Sequence, residues 1–253
     1  MWQSARNDRL FLGLLVALIT LAWLSLWVWG QSPYGRYLDH QALTEVTSED
    51  VRLVVFFVGG WTLMISAMML PTTLPLIALF RTIISDRSNK LTLVGLLATG
   101  YLAVWIGFGV LVHIADLGVH EGAEQVRWLN SNDWVIGTGT LILAGAYQFT
   151  PLKYHCLDKC RSPFSFIAGR WRGGNEMVQS FRLGVDHGIF CVGCCWTLML
   201  LMFGVGAGNL GWMLVLGSVM AIEKNMPWGR KLSAPLGLVL IGSGLATVIL
   251  QLY

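Results

Sequence analysis

Apolar runs, most of them near 20 residues long, recur along this 253-residue chain. That is the length at which an α-helix crosses a bilayer, whose hydrocarbon core is about 30 Å thick. Only 12% of the residues are charged and 55% are hydrophobic, with mean hydropathy +0.62. A soluble domain carries about 25% charged residues. The pattern predicts an all-α, polytopic membrane helical bundle of about seven transmembrane helices, at 10–29, 53–80, 91–113, 134–150, 186–205, 209–222 and 232–252. The length suits one integral membrane domain over 1–253 and leaves no room for a second.

Three of these runs need comment. The first is longer than the about 7–15-residue apolar core of a cleavable signal peptide, and it ends on Trp27, Val28 and Trp29, so it reads as a retained span. The second holds Pro71 and Pro75, which predicts a kink or break in its last turns. The sixth is short and follows the fifth across Gly204, Gly206, Gly208 and Gly211. It reads as half of a tight hairpin or as a partly inserted helix.

Basic residues orient the bundle. Arg6, Arg9, Arg81, Arg87, Lys90, Lys153, Lys159, Arg161, Arg170, Arg172, Arg182, Lys224, Arg230 and Lys231 fall in segments on one side. Of the 17 Lys and Arg residues, Arg36, Arg52 and Arg127 alone fall on the other. That other side is acidic, with Asp39, Glu45, Glu49, Asp50, Asp116, Glu121, Glu124 and Asp133. The positive-inside rule then predicts a cytoplasmic N-terminus, an external C-terminus and a cytoplasmic 151–185 loop. Phe164, Phe166, Ile167 and Trp171, interleaved with arginines, read as an interfacial amphipathic stretch of that loop.

The concentrated chemistry lies at the ends of this loop. On a helix, His187, Cys191, Cys194 and Cys195 project within an arc of roughly 100°. Cys156 and Cys160, at i, i+4 spacing beside His155, complete the five cysteines of the chain. Topology brings both groups to one membrane face. A small residue that packs helices accounts for one such cysteine, but less well for all five at two adjacent span ends. A structural disulfide would be out of place in a reducing cytoplasm. Thiolates with an imidazole select Zn²⁺, Cu(I) or iron–sulfur chemistry. Met199 and Met202 continue the cysteine stripe toward the bilayer centre; Cu(I) tolerates thioether, and ordinary lipid or helix packing is the other reading of these methionines.

Other features carry less. Cys191-Val192-Gly193-Cys194 is also a C-x-x-C, which allows a membrane thiol–disulfide relay. Met64 and Met68 share a face of the second run and read as packing. Glu223 and Lys224 read as a snorkelled pair that compensates itself. His113 and His120 lie near the outer face, His40 sits in an acidic loop, and Asp186 suits a helix start. No phosphate-binding glycine loop, H-E-x-x-H or nucleophile elbow occurs, and no basic stripe suggests nucleic acid.

A resemblance follows from particular residues. The run Gly145-Ala146-Tyr147-Gln148-Phe149-Thr150-Pro151-Leu152-Lys153, with Cys156 and Cys160, precedes His187-Gly188 and Cys191-Val192-Gly193-Cys194-Cys195-Trp196. Glu223-Lys224 and Pro227-Trp228-Gly229 come after, and Ala67-Met68-Met69-Leu70-Pro71 comes before. Together these resemble a bacterial family described as predicted metal-binding integral membrane proteins (domain of unknown function, number 2182). The resemblance covers roughly 55–250. It implies a helical inner-membrane protein that binds a metal through these cysteines, and it implies no activity.

The reading is a non-enzymatic protein of the bacterial inner membrane that binds a thiophilic metal, Cu(I) before zinc. Its expected ligands are Cys156, Cys160, His187, Cys191, Cys194, Cys195 and Met202. Its expected partners are the lipid bilayer and a metalloprotein that receives the metal. The alternatives are the relay, or a subunit of a larger membrane complex.

Overall fold

The computed structural model describes residues 2–31, 51–125, 132, 134–171, 174–205 and 209–252. The acidic stretch with Asp39, His40, Glu45, Glu49 and Asp50, together with Arg36, Arg127, Asp133, Arg172, Gly206 and Gly208, lies outside the described residues. The described residues form ten α-helices and no strand, so the all-α expectation holds. They are α1 (Trp2–Gln31), α2 (Val51–Met68), α3 (Leu70–Ile83), α4 (Lys90–Gln125) and α5 (Trp134–Tyr147), then α6 (Pro151–Arg161), α7 (Pro163–Arg170), α8 (Glu176–Val205), α9 (Leu210–Asn225) and α10 (Ser233–Leu252). A 3₁₀ turn, Gly229–Leu232, leads into α10.

Among the described residues three helices are long and apolar enough to cross a membrane: Lys90–Asp116, Glu176–Met202 and Gly229–Leu252. The bent pair Val58–Met68 and Leu70–Ile83 makes a fourth if counted as one span. The expected seven therefore rests on α9 and on two shorter apolar stretches, Val16–Gln31 and Trp134–Tyr147.

The break between α2 and α3 is 64° and falls where the prolines predict it. Pro71 has no N–H to give the carbonyl of Ala67, four residues back. The indole of Trp23, on α1, donates to that carbonyl instead, at 3.2 Å. The carbonyl of Met69 accepts from the Thr72 backbone N–H at 3.1 Å, and in addition from Thr72 Oγ1 at 2.7 Å and from Tyr101 Oη at 3.4 Å. Side chains of α1, α3 and α4 thus satisfy a broken helix from within, as an apolar surrounding demands.

Helix α8 is the axis of the bundle and packs along α4. Its start differs from expectation. Asn175 Oδ1 accepts from the backbone N–H of Met177 and Val178, an N-cap that hydropathy cannot reveal, so α8 begins at Glu176. Its 30 residues span about 45 Å, longer than an apolar core. Asp186 is therefore not at a helix start. It lies well inside α8 and accepts from Arg170 Nε at 2.7 Å. Close approach of α4 and α8 depends on glycine. A Cβ at Gly184 would fall on the carbonyl oxygen of Leu97, and one at Gly100 on that of Phe181. Without this seam Tyr101 could not reach across to α8.

The 151–185 segment is not an open loop. Thr150 caps α6, accepting from the Lys153 N–H at 3.3 Å, and Pro151 occupies the first turn. Helix α7 turns Phe166 and Ile167 into a core with Leu70, Phe80 and Leu183, which corrects the expected interfacial placement of these two residues. Arg170 stacks 4.0 Å over the Phe166 ring. Phe164 alone of the expected apolar set is largely exposed. The segment folds back onto α8 and carries Cys156 and Cys160 with it.

Candidate metal centre

Cysteine thiols meet where α6 lies across α8. Cys160 is half-buried on α6, with its thiol next to those of Cys191 and Cys194. Cys191, Cys194 and Cys195 are all but inaccessible to solvent. Cys194 and Cys195 donate to the carbonyl oxygen of Cys191, at 3.1 and 3.0 Å. Cys191 Sγ is the hub. Tyr101 Oη stands 3.1 Å from it and Lys224 Nζ 2.9 Å from it. Lys224 Nζ also lies 3.8 Å from Cys195 Sγ and 3.7 Å from Met69 Sδ. Met69 occupies the break between α2 and α3, which turns its thioether into the cluster. Cys156 stands at the edge, its sulfur 2.6 Å from where a Cβ on Gly193 would be. All five thiols are free.

The remaining expected ligands are near but apart. His187 lies one turn before Cys191, with its ring against Tyr101 and Phe166. Its Nδ1 is buried with no hydrogen-bond partner. Met202 is buried in the same core, but seven residues beyond Cys195 puts it about 10 Å further along the axis. Among the described residues no group of three or more His, Cys, Asp or Glu side chains stands in metal-holding geometry. The reason is visible in the bonding: two of the four central thiols are turned to a backbone carbonyl rather than to a common point.

Three residues of the site escape the sequence reading: Met69, quoted there only within the resemblance, Tyr101 and Lys224. Tyr101 carries no motif around it. Lys224 is assigned there to Glu223, but neighbours on a helix point about 100° apart, so the two need separate partners. Glu223 takes Lys153 Nζ at 2.8 and 2.9 Å and the Ser233 hydroxyl at 2.6 Å. Gln148 Oε1 also accepts from Lys153. Lys153 and Lys224, counted above as inner-face charges, are both buried.

A family model described as PpoB2, copper chaperone, matches residues 58–247. The chain belongs to this copper chaperone family. No curated protein and no solved structure matches it. The match runs from within α2 into α10. It includes all five cysteines, Tyr101, Met69 and Lys224, and leaves out α1. The resemblance noted above implies an unspecified metal, and the description of the matched family names copper.

The donor set fits copper in its reduced form. Cu(I) is soft and accepts two or three thiolates with thioether support. The cluster offers four thiols and the Met69 thioether, and no carboxylate among them. Two hydrogen bonds hold the frame around it. Tyr147, on α5, donates to the Gly193 carbonyl inside the cysteine run, and Arg161, on α6, donates to the Glu223 carbonyl on α9.

Proposed function

We propose that this protein is an integral membrane Cu(I) chaperone, not an enzyme, that holds its cargo on Cys160, Cys191, Cys194 and Cys195. Convergence of thiols from two helices on Cys191 Sγ carries the reading. Met69 would add a thioether, and His187 an imidazole from one turn away. Cys156 and Met202 would flank the site rather than complete it. Cys160 is half-buried where the other three cysteines are buried, so its side of the cluster is the point of entry and of transfer to a metalloprotein. A two- or three-coordinate ion gains a partner's ligand before it loses one of its own, which lets the ion pass without being released to water.

Ligation requires thiols to lose protons. Hydrogen bonds with Cys191 and Cys194 hold the Cys160 thiol well above the usual thiol range, and burial pushes Cys156 up as well. Both are therefore protonated at neutral pH before metal arrives. Loading should release protons into a weakly buffered solution, and affinity should fall as pH is lowered. The measurement is Cu(I) titration of anaerobically purified protein against a competing chelator at several pH values. A parent protein that takes up no copper, or does so with no dependence on pH, would defeat the reading.

The membrane assignment rests on the long apolar helices, and the orientation on the charge bias. With Lys153 and Lys224 buried, the other basic residues of the inner segments still supply that bias. The site then faces the bacterial cytoplasm, with the N-terminus inside and the C-terminus outside. Reporter fusions after Lys153 and after Tyr253 should give opposite signals, and like signals would overturn the orientation.

A further inference from the structure

Lys224 sits in the last turn of α9 and is almost wholly buried. Its hydrogen-bond partners among the described residues are all sulfur: Cys191, Cys195 and Met69. The adjacent carboxylate, Glu223, is turned away and held by Lys153 and Ser233. An ammonium has three donors and no lone pair, so it cannot ligate a metal. It stands within 3.8 Å of two of the thiol sulfurs that would, those of Cys191 and Cys195, and in an apolar interior a charge at that range is weakly screened.

The consequence is a bias by charge. A complex of two thiolates with Cu(I) carries one negative charge, and the Lys224 ammonium cancels it. The same two thiolates with Zn²⁺ are already neutral, and the ammonium is then left buried and uncompensated. If three thiolates engage, both complexes become one unit more negative, and the difference between the two metals is unchanged. We propose that Lys224 is the specificity-determining residue of this site: it selects a monovalent thiophilic ion over a divalent one by supplying one fixed positive charge beside the sulfur cluster. This rests on the copper reading above. It adds a criterion that ligand softness does not supply, because thiolates also make good zinc sites.

The probes are Cu(I) and Zn²⁺, each titrated against a chelator into full-length protein in detergent under anaerobic conditions. The quantity read is the ratio of the two affinities. Lys224→Met should shift that ratio toward Zn²⁺ by about 100-fold or more, the scale of one unit charge at this distance in a poorly screened site. Lys224→Arg keeps the charge and should keep the parent's preference for Cu(I). Lys224→Gln is neutral and polar, and covers the case in which the methionine variant does not fold. Thermal unfolding identifies which variants are folded. A folded neutral variant with the parent's ratio overturns the proposal. So does one that loses both ions equally, since that is the mark of a residue that only holds the sulfurs in place. A parent that binds no Cu(I) defeats the copper reading itself. A parent that binds it with a ratio indifferent to residue 224 defeats this inference alone.

Discussion

Replacing Cys191 with serine should lower Cu(I) affinity by more than the about 10–100-fold that removal of an outer-shell partner costs a metal site. Cys191 Sγ is the atom on which the rest of the cluster turns, with Tyr101 and Lys224 in hydrogen-bond contact with it and the Cys160 thiol beside it. Serine is close in size but offers a hard oxygen to a soft ion. The fold should survive, because the residue is small and the hydroxyl can keep the contacts with Tyr101 and Lys224. Cys156→Ser is the control. That sulfur packs at the edge, against Gly193, and its loss should matter far less. Copper content and chelator competition on folded protein give the comparison. Equal losses from the two variants would show that Cys191 is not the hub, and a Cys191→Ser protein with the parent's affinity would put the ion elsewhere.

The largest loss of stability is expected from Glu223→Ala. Lys153 and Glu223 are 0% and 2% exposed and form an ion pair of 2.8 Å between α6 and α9. Removing the carboxylate leaves the buried ammonium with the neutral Gln148 amide and no counter-charge, and takes away the acceptor of the Ser233 hydroxyl. Breaking one side of a buried pair costs about 3–5 kcal/mol, whereas replacing both sides with apolar residues is often close to neutral. Glu223→Ala should therefore unfold well below the parent in a thermal or denaturant series in detergent. The double variant Lys153→Met/Glu223→Leu should recover most of the loss. A single variant as stable as the parent would mean that water reaches Lys153. Because the pair ties the start of α6 to the end of α9, its loss should also loosen the approach of Cys160 to Cys191.

Whatever depends on composition and period could be read from the sequence. The helical class and the break at Pro71 follow from run length and proline chemistry, while the nearness of Cys160 to Cys191 and Cys194 was expected from placing both cysteine groups at one face of the membrane. Helix ends were less legible. The start of α8 is fixed by the Asn175 cap, while its apolar run begins later. Contacts between helices were hidden altogether. Tyr101 reaches Cys191 because Gly100 and Gly184 let two backbones meet, and no local pattern announces that. Charge was misread for one reason in two places. Lys153 and Lys224 look like ordinary inner-face cations, yet each is buried against a specific partner. A lone carboxylate beside a lysine on a helix is a poor sign of a pair, since the two side chains diverge.

The family match begins at residue 58, in α2, but the packed interior does not. Ala22 and Leu26 of α1 are buried in the same core as Cys191, Met69 and Met202. The Trp23 indole also takes the carbonyl that Pro71 leaves open, two residues before Met69. The boundary of the shared ancestry is thus not the boundary of the folding unit. A segment that the family leaves unmatched supplies a hydrogen bond to the bend that aims Met69. A fragment trimmed to the matched residues would keep every cysteine and still expose an unpaired carbonyl at the hinge beside its own cysteine cluster.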